Sequence, residues 1–278
     1  MIKRTITSIV ALCVLVPVLF LADTLLLPVG LAVCAVLGCY EMFSCVGLKK
    51  KILLCAPVYA VALIFPLISR MISEKALMRF SICAMGVIIV YMLGVAVFSH
   101  SDVQVTDVGL AIGACIYIIA ALMGLLYLHD SIEHGKHIYL LTFICAWTTD
   151  VFAYLTGRFF GKHKLIPAVS PKKTVEGAIG GIVFCVGATL LFGFIIETFF
   201  NPNGDISANY LVLAISGAVI SVISQIGDLI MSLIKRHYGI KDYGKIFPGH
   251  GGILDRFDSV MAVSVILTFI CTYFNLFT

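Results

Sequence analysis

Residues 210–277 read YLVLAISGAVISVISQIGDLIMSLIKRHYGIKDYGKIFPGHGGILDRFDSVMAVSVILTFICTYFNLF. An apolar run from 210 to 231 passes into a polar, glycine-bearing stretch and returns to an apolar run from 258 to 277. Each run is close to the roughly 20 residues that a helix needs to cross a hydrocarbon core, so the segment predicts two antiparallel membrane helices joined by a loop. The polar part collects Asp228, Asp242, Asp255 and Asp258 with Lys235, Arg236, Lys241, Lys245, Arg256 and His250. Magnesium-assisted chemistry on phosphates needs carboxylates for the metal, cations for phosphate oxygens and glycines that let backbone come close; this stretch supplies all three.

The rest of the chain has the same solvent in view. Of its 278 residues, 61% are hydrophobic and 12% charged, and the mean hydropathy is +1.09, which excludes a water-soluble globular domain. Further apolar runs at 6–22, 24–40, 52–69, 80–98, 110–128, 138–157 and 178–197 predict an all-α polytopic integral membrane protein of about nine transmembrane helices. Lys3 and Arg4 precede the first run as in a signal peptide, but no small-x-small site follows it, so the run reads as retained. Basic residues crowd one side of the implied topology (Lys49–Lys51, Lys162, Lys164, Lys172, Lys173 and the 235–256 stretch), against Arg70, Lys75, Arg79 and Lys136 on the other. That bias puts the N-terminus in the cytoplasm and the C-terminus outside. The net charge of +4 comes with no arginine-rich arm, so no nucleic-acid partner is expected. The ten cysteines are scattered singly and read as small buried hydrophobes.

Residues 1–137 read as a scaffold of five helices, and 138–278 as a catalytic region of four helices with cytoplasmic loops at 158–177 and 232–257; together they form a single membrane domain. In the first half Glu41, His100, Asp102 and Asp107 fall at water interfaces and are expected to be solvated. The 129–137 segment, with His129, His134 and His137, reads as a solvated outer loop in preference to a metal site.

In the second half Asp150 lies inside an apolar run, where an ionisable group costs roughly 2.5–3.5 kcal/mol on insertion scales and needs a polar partner or an aqueous cavity. It shares a helical face with Tyr154 and Arg158, which suits either an intrahelical relay to Arg158 or a cavity wall. GRFFGKH has the wrong spacing for a phosphate-binding P-loop. In SPKKTVEG, Ser170 suits a helix cap, Pro171 the first turn and Glu176 the positive helix start, while Lys172 and Lys173 suit a headgroup or nucleotide phosphate. Gly177 and Gly181 have small-xxx-small spacing for helix packing. Ser221, Ser224, Asp228, Ser232 and Lys235 form one helical stripe with Gln225 beside it, a polar seam that is either interhelical glue or the approach to a site.

With these residues in place, the chain resembles the phosphatidate cytidylyltransferase family, also called CDP-diacylglycerol synthases. Ser232–Asp258 agrees with the family signature throughout, and the likeness extends back through Asp228 and SPKKTVEG to Asp150. The resemblance implies a membrane enzyme that converts CTP and phosphatidic acid to CDP-diacylglycerol and pyrophosphate in phospholipid biosynthesis. It implies Mg²⁺ at Asp228 and Asp255, with K⁺ as a possible second ion, and a homodimer with a cavity open to cytoplasm and lipid. A bacterial cytoplasmic (inner) membrane suits the small size.

On this reading Asp228, Asp255, Lys235, Arg256 and His250 are the catalytic candidates. Ser170, Lys172, Lys173, Thr174, Glu176, Ser232, Arg236, Lys241, Asp242, Gly251, Gly252 and Asp258 are substrate-binding candidates, and Asp150 lines the cavity. A CDP-alcohol phosphotransferase is disfavoured because its DGxxAR pattern is missing from the sequence. The remaining alternatives are a CTP-dependent lipid alcohol kinase and, from a different class, an ion-coupled transporter, although no internal repeat supports the latter.

Overall fold

The computed structural model describes residues 13–99, 102–201, 204, 206–247 and 249–278. Lys3, Arg4, the beginning of the first apolar run, His100 and Pro248 lie outside the described residues. The elements are α1 (13–20), α2 (Leu26–Cys45), α3 (Ile52–Ile68), α4 (Glu74–Phe98), α5 (Val105–Asp130), α6 (Gly135–Phe160), the strands β1 (Lys164–Ile166) and β2 (Ser170–Thr174), α7 (Val175–Phe199), α8 (Tyr210–His237) and α9 (Leu254–Tyr273). Six of them, α2 and α4 to α8, are long and apolar enough to cross a membrane, so the chain is an integral membrane protein. Helix α3 is shorter at 17 residues and contains Pro57 and Pro66.

Several helices outrun the apolar stretches that predicted them, because polar residues finish their ends. Ser73 caps α4 by accepting the Ala76 amide at 3.4 Å, with Glu74 in the first turn. Helix α8 continues through Lys235, Arg236 and His237, whose positive charge suits the negative end of the helix dipole.

The chain divides into two compact units. The first takes the residues up to Leu126 together with Tyr238–Arg256. Here α2 packs along α3, with Phe43 edge-on to Tyr59, and Leu254 rests near Gly38 and Ile118. Helix α4 buries only Met92 among the described residues, so nearly its whole surface faces outward. Lys51 pairs with Asp107 at 2.5 Å, and the Gln104 amide donates to the same carboxylate. Asp107 is therefore an ion-pair partner and helix-end acceptor, not the solvated side chain expected. Asp102 is exposed, as expected.

The second unit holds Tyr127–His237 and Phe257–Thr278. Helices α6, α7 and α8 form its core, and 276–278 pair with 207–209 beside the end of α9. Close packing of α6 on α7 follows from the small residues the sequence placed there. A Cβ on Gly177 would stand 2.6 Å from the Ala153 carbonyl oxygen and 3.1 Å from Gly157 Cα, so only glycine lets these backbones approach.

Two local expectations change. The 129–137 segment is not a solvated loop: α5 runs to Asp130, α6 begins at Gly135, and His129 is buried edge-on to Tyr139 with Nδ1 at 2.6 Å from Asp130. Aromatic packing claims that histidine because the helices extend towards each other. Ser170 and Pro171 likewise do not open a helix. Ser170–Thr174 is a strand antiparallel to Lys164–Ile166, with Lys164 opposite Thr174 and Ile166 opposite Ser170. A residue before proline prefers extended backbone, and the pairing continues that conformation up to Thr174.

Gly177→Val is expected to lower stability by about 1–3 kcal/mol through overpacking. Gly187→Ala, on the same helix with nothing within 4 Å of the new Cβ, should leave it unchanged. Melting temperatures of the detergent-solubilised variants check both.

Candidate active site

In the second unit, charge converges where the hairpin meets α7 and α8. Thr174, not Ser170, caps α7: its hydroxyl accepts the Gly177 amide at 3.1 Å. Glu176 in the first turn accepts the Lys162 and His163 amides at 3.0 and 3.2 Å and meets His163 Nδ1 at 2.6 Å. These contacts tie the start of the hairpin to the start of α7. Lys173, on β2, consequently reaches across to α8, where its Nζ lies 2.6 Å from Asp228 Oδ2; both side chains are about a quarter exposed, at 26% and 28%. The Ser232 hydroxyl, one turn along α8, donates to Asp228 Oδ1 at 3.3 Å. Lys172 is exposed beside this pair in sequence.

Helix α9 adds a second carboxylate. A Cβ on Gly227 would meet Ala262 and lie 3.2 Å from the Asp258 carbonyl oxygen, so α8 and α9 run in close contact beside Asp228. Asp258 has Asp228, Asp150 and Lys235 as charged neighbours. Asp150 accepts the Ser259 hydroxyl at 3.4 Å and is exposed, while Arg158 donates to Tyr154 at 3.4 Å. The polar seam on α8 has two parts. Its upper part is glue: Thr149 donates to Ser221 at 3.0 Å, and Gln225 to the Ala178 carbonyl at 3.2 Å. Its lower part, with Asp228, Ser232 and the buried Lys235, belongs to the carboxylate and ammonium cluster.

In the first unit, the other half of the signature segment forms a compact turn before α9. The Phe247 amide donates to Gly251 and the His250 amide to Phe247, both at 2.9 Å. Gly251 adopts φ +88°, where a side chain is strained. Tyr243 and Gly252 donate their amides to Asp255 Oδ2 at 2.8 and 2.9 Å, which fixes that carboxylate, itself 8% exposed. Lys241, Asp242, Lys245 and Arg256 are exposed, and His250 is half-buried. Arg236 is exposed in the last turn of α8, in the second unit.

Glu41 corrects an expectation. Placed by sequence at a water interface, it is 2% exposed in the first unit, and its carboxylate accepts the amides of Ile253 at 3.0 Å and Leu254 at 2.9 Å. The turn brings to it donors that have no helical partner of their own, which is why a charged residue is tolerated there. An ionisable residue at the end of an apolar run signals in the sequence only that a polar partner or water is needed, and the fold decides which it finds.

Among the described residues no group of three or more His, Cys, Asp or Glu side chains is arranged to hold a metal. Carboxylates in ones and twos with nearby hydroxyls are hard oxygen donors. Such a set fits an ion like Mg²⁺, which keeps waters and takes its other ligands from substrate phosphates, and does not fit a structural zinc.

Residues 2–274 match the family described as the Cytidylyltransferase family. The chain is 33% identical over 266 residues to the phosphatidate cytidylyltransferase of Staphylococcus haemolyticus (strain JCSC1435), an overlap covering 95% of this chain and 96% of that protein. It is 35% identical, with the same coverage, to that of Staphylococcus saprophyticus subsp. saprophyticus, and 34% identical to that of Staphylococcus aureus (strain N315).

Thr174→Val keeps the shape that packs against Gly157 and Gly161 but removes the cap. A loss of about 1 kcal/mol is expected, read as a lower melting temperature in detergent, with Thr174→Ser restoring it.

Proposed function

We propose, from the premise that the chain belongs to the cytidylyltransferase family and is a nucleotidyltransferase enzyme, that it converts CTP and phosphatidic acid to CDP-diacylglycerol and pyrophosphate in phospholipid biosynthesis. A phosphate oxygen of the lipid attacks the α-phosphorus of CTP. The bond from that phosphorus to the oxygen bridging to the β-phosphate breaks, and pyrophosphate leaves in line. No protein nucleophile is required, so the side chains align the two anions and neutralise their charge.

Lys172, Lys173, Lys235, Arg236, Lys241 and Arg256 are assigned to phosphate oxygens. Lys173 is already directed by its ion pair with Asp228. Ser170, Thr174, Glu176, Ser232, Asp242, Gly251, Gly252 and Asp258 are assigned to substrate binding, with Asp150 in the cavity wall. His250 is assigned to phosphate contact or assistance to the leaving group. Asp228 and Asp255 are proposed as the Mg²⁺ ligands on the strength of the signature residues, with K⁺ as an accompanying ion. When bound, Mg²⁺ would offset negative charge on the nucleotide phosphates.

We also assign nine crossings, with the N-terminus and active site cytoplasmic and the C-terminus outside, in a bacterial cytoplasmic (inner) membrane. A homodimer is the proposed assembly. The positive-inside distribution supports the orientation.

The observation that carries this reading is the likeness to phosphatidate cytidylyltransferases over 95% of the chain and 96% of theirs. The test supplies detergent-solubilised protein with cytidine-labelled CTP, phosphatidic acid and Mg²⁺ and measures chloroform-extractable label. Wild type is expected to transfer label, EDTA to abolish transfer, and Asp228→Asn or Asp255→Asn to reduce it by about 100-fold or more while folding normally. A folded wild-type protein that puts no label into lipid with several phosphatidic acids overturns the proposal.

A further inference from the structure

We propose that Glu41, far from the signature segment in sequence, is a positioning residue that sets the Asp255 carboxylate through the turn before α9. This rests on the cytidylyltransferase reading above for its effect on turnover, and on the first unit alone for its geometry. The residue immediately before α9 is Ile253, whose side chain has no oxygen with which to cap a helix. Serine, threonine, aspartate or asparagine normally fills that role, and without one the first amides are left unpaired. Glu41 supplies the missing acceptors from 212 residues away in sequence, one oxygen to the Ile253 amide at 3.0 Å and the other to Leu254 at 2.9 Å.

The neighbouring amide, Gly252, goes to Asp255 Oδ2, which also takes Tyr243. Amides of three consecutive residues are therefore divided between two carboxylates, and the backbone at 252–254 links Glu41 rigidly to Asp255. The surroundings are shaped to this arrangement. A Cβ at Gly244 or Gly252 would overlap the Glu41 carboxylate, and Leu254 packs near Gly38, one turn before Glu41 on α2. A buried carboxylate with both oxygens hydrogen-bonded to backbone is costly to disturb, and displacing its partners changes where Asp255 is held.

The experiment uses the full-length protein in detergent, with Glu41→Gln, Glu41→Asp and Glu41→Ala. Glu41→Gln keeps the size but offers one acceptor oxygen to two amides, so it is the deciding variant. Hydrogen exchange followed by mass spectrometry should show peptides covering 243–256 exchanging at least about tenfold faster, with α6 to α8 as protected as in wild type. Cytidylyl transfer should fall about 100-fold in kcat, with KM for CTP within about threefold and half-saturating Mg²⁺ raised, because the substrate-phosphate contacts remain while the carboxylate is misplaced. Glu41→Asp, which retains two acceptors on a shorter stem, should recover part of both effects.

Unchanged exchange at 243–256 in a folded Glu41→Gln protein overturns the proposal, as does wild-type kcat and Mg²⁺ dependence despite faster exchange. Equal loosening of α6 to α8 also overturns it, since Glu41 would then support the fold generally. If wild type itself transfers no cytidylyl group, the functional reading fails, while the exchange result still decides whether Glu41 holds the turn.

Discussion

Backbone amides that lack a helical partner must find an oxygen, and where Gly252, Ile253 and Leu254 are buried the protein supplies it. The polar turn before α9 meets this constraint with two carboxylates, Glu41 and Asp255, that together accept the amides of Tyr243, Gly252, Ile253 and Leu254. The glycines of this stretch have the same cause. Gly252 leaves space for Glu41, and Gly251 turns the chain at a φ that other residues adopt only with strain. A signature segment rich in glycine and aspartate is therefore as much a solution to backbone hydrogen bonding as a collection of reactive groups.

The second unit solves a related difficulty with side-chain charge. Asp228, on the polar stripe of α8, is matched by Lys173, and Glu176 draws the chain before β1 to α7, the helix into which that strand pair leads. A partly exposed ion pair of this kind contributes little to stability, roughly 0–1 kcal/mol. What it does is fix a lysine and a carboxylate against each other between β2 and α8. The glue between α6, α7 and α8, through Thr149, Ser221 and Gln225, gives these charges a rigid base.

How far the sequence could be read depended on the range of the forces involved. Apolar runs at 80–98, 138–157 and 210–231 located α4, α6 and α8, because burial in lipid is a property of each segment by itself. The small-xxx-small spacing of Gly177 and Gly181 announced close packing for the same local reason. The role of Glu41 was not legible, since its partners lie more than two hundred residues away and backbone amides carry no sequence signal. SPKKT was misread because its local pattern suits a helix start as well as a strand, and its pairing with Lys164–Ile166 decided between them. His129 was misread because a polar stretch between two apolar runs does not reveal that both helices extend into it.

The proposed transfer of a cytidylyl group to a lipid phosphate is tested by following the fate of each CTP phosphate. Purified protein with phosphatidic acid is given CTP labelled at the α-phosphate in one reaction and at the γ-phosphate in another. The α-label is expected to enter chloroform-soluble lipid and the γ-label to leave as pyrophosphate. Entry of γ-label into lipid, with α-label remaining in water-soluble CDP, would contradict cytidylyl transfer and identify a CTP-dependent lipid kinase.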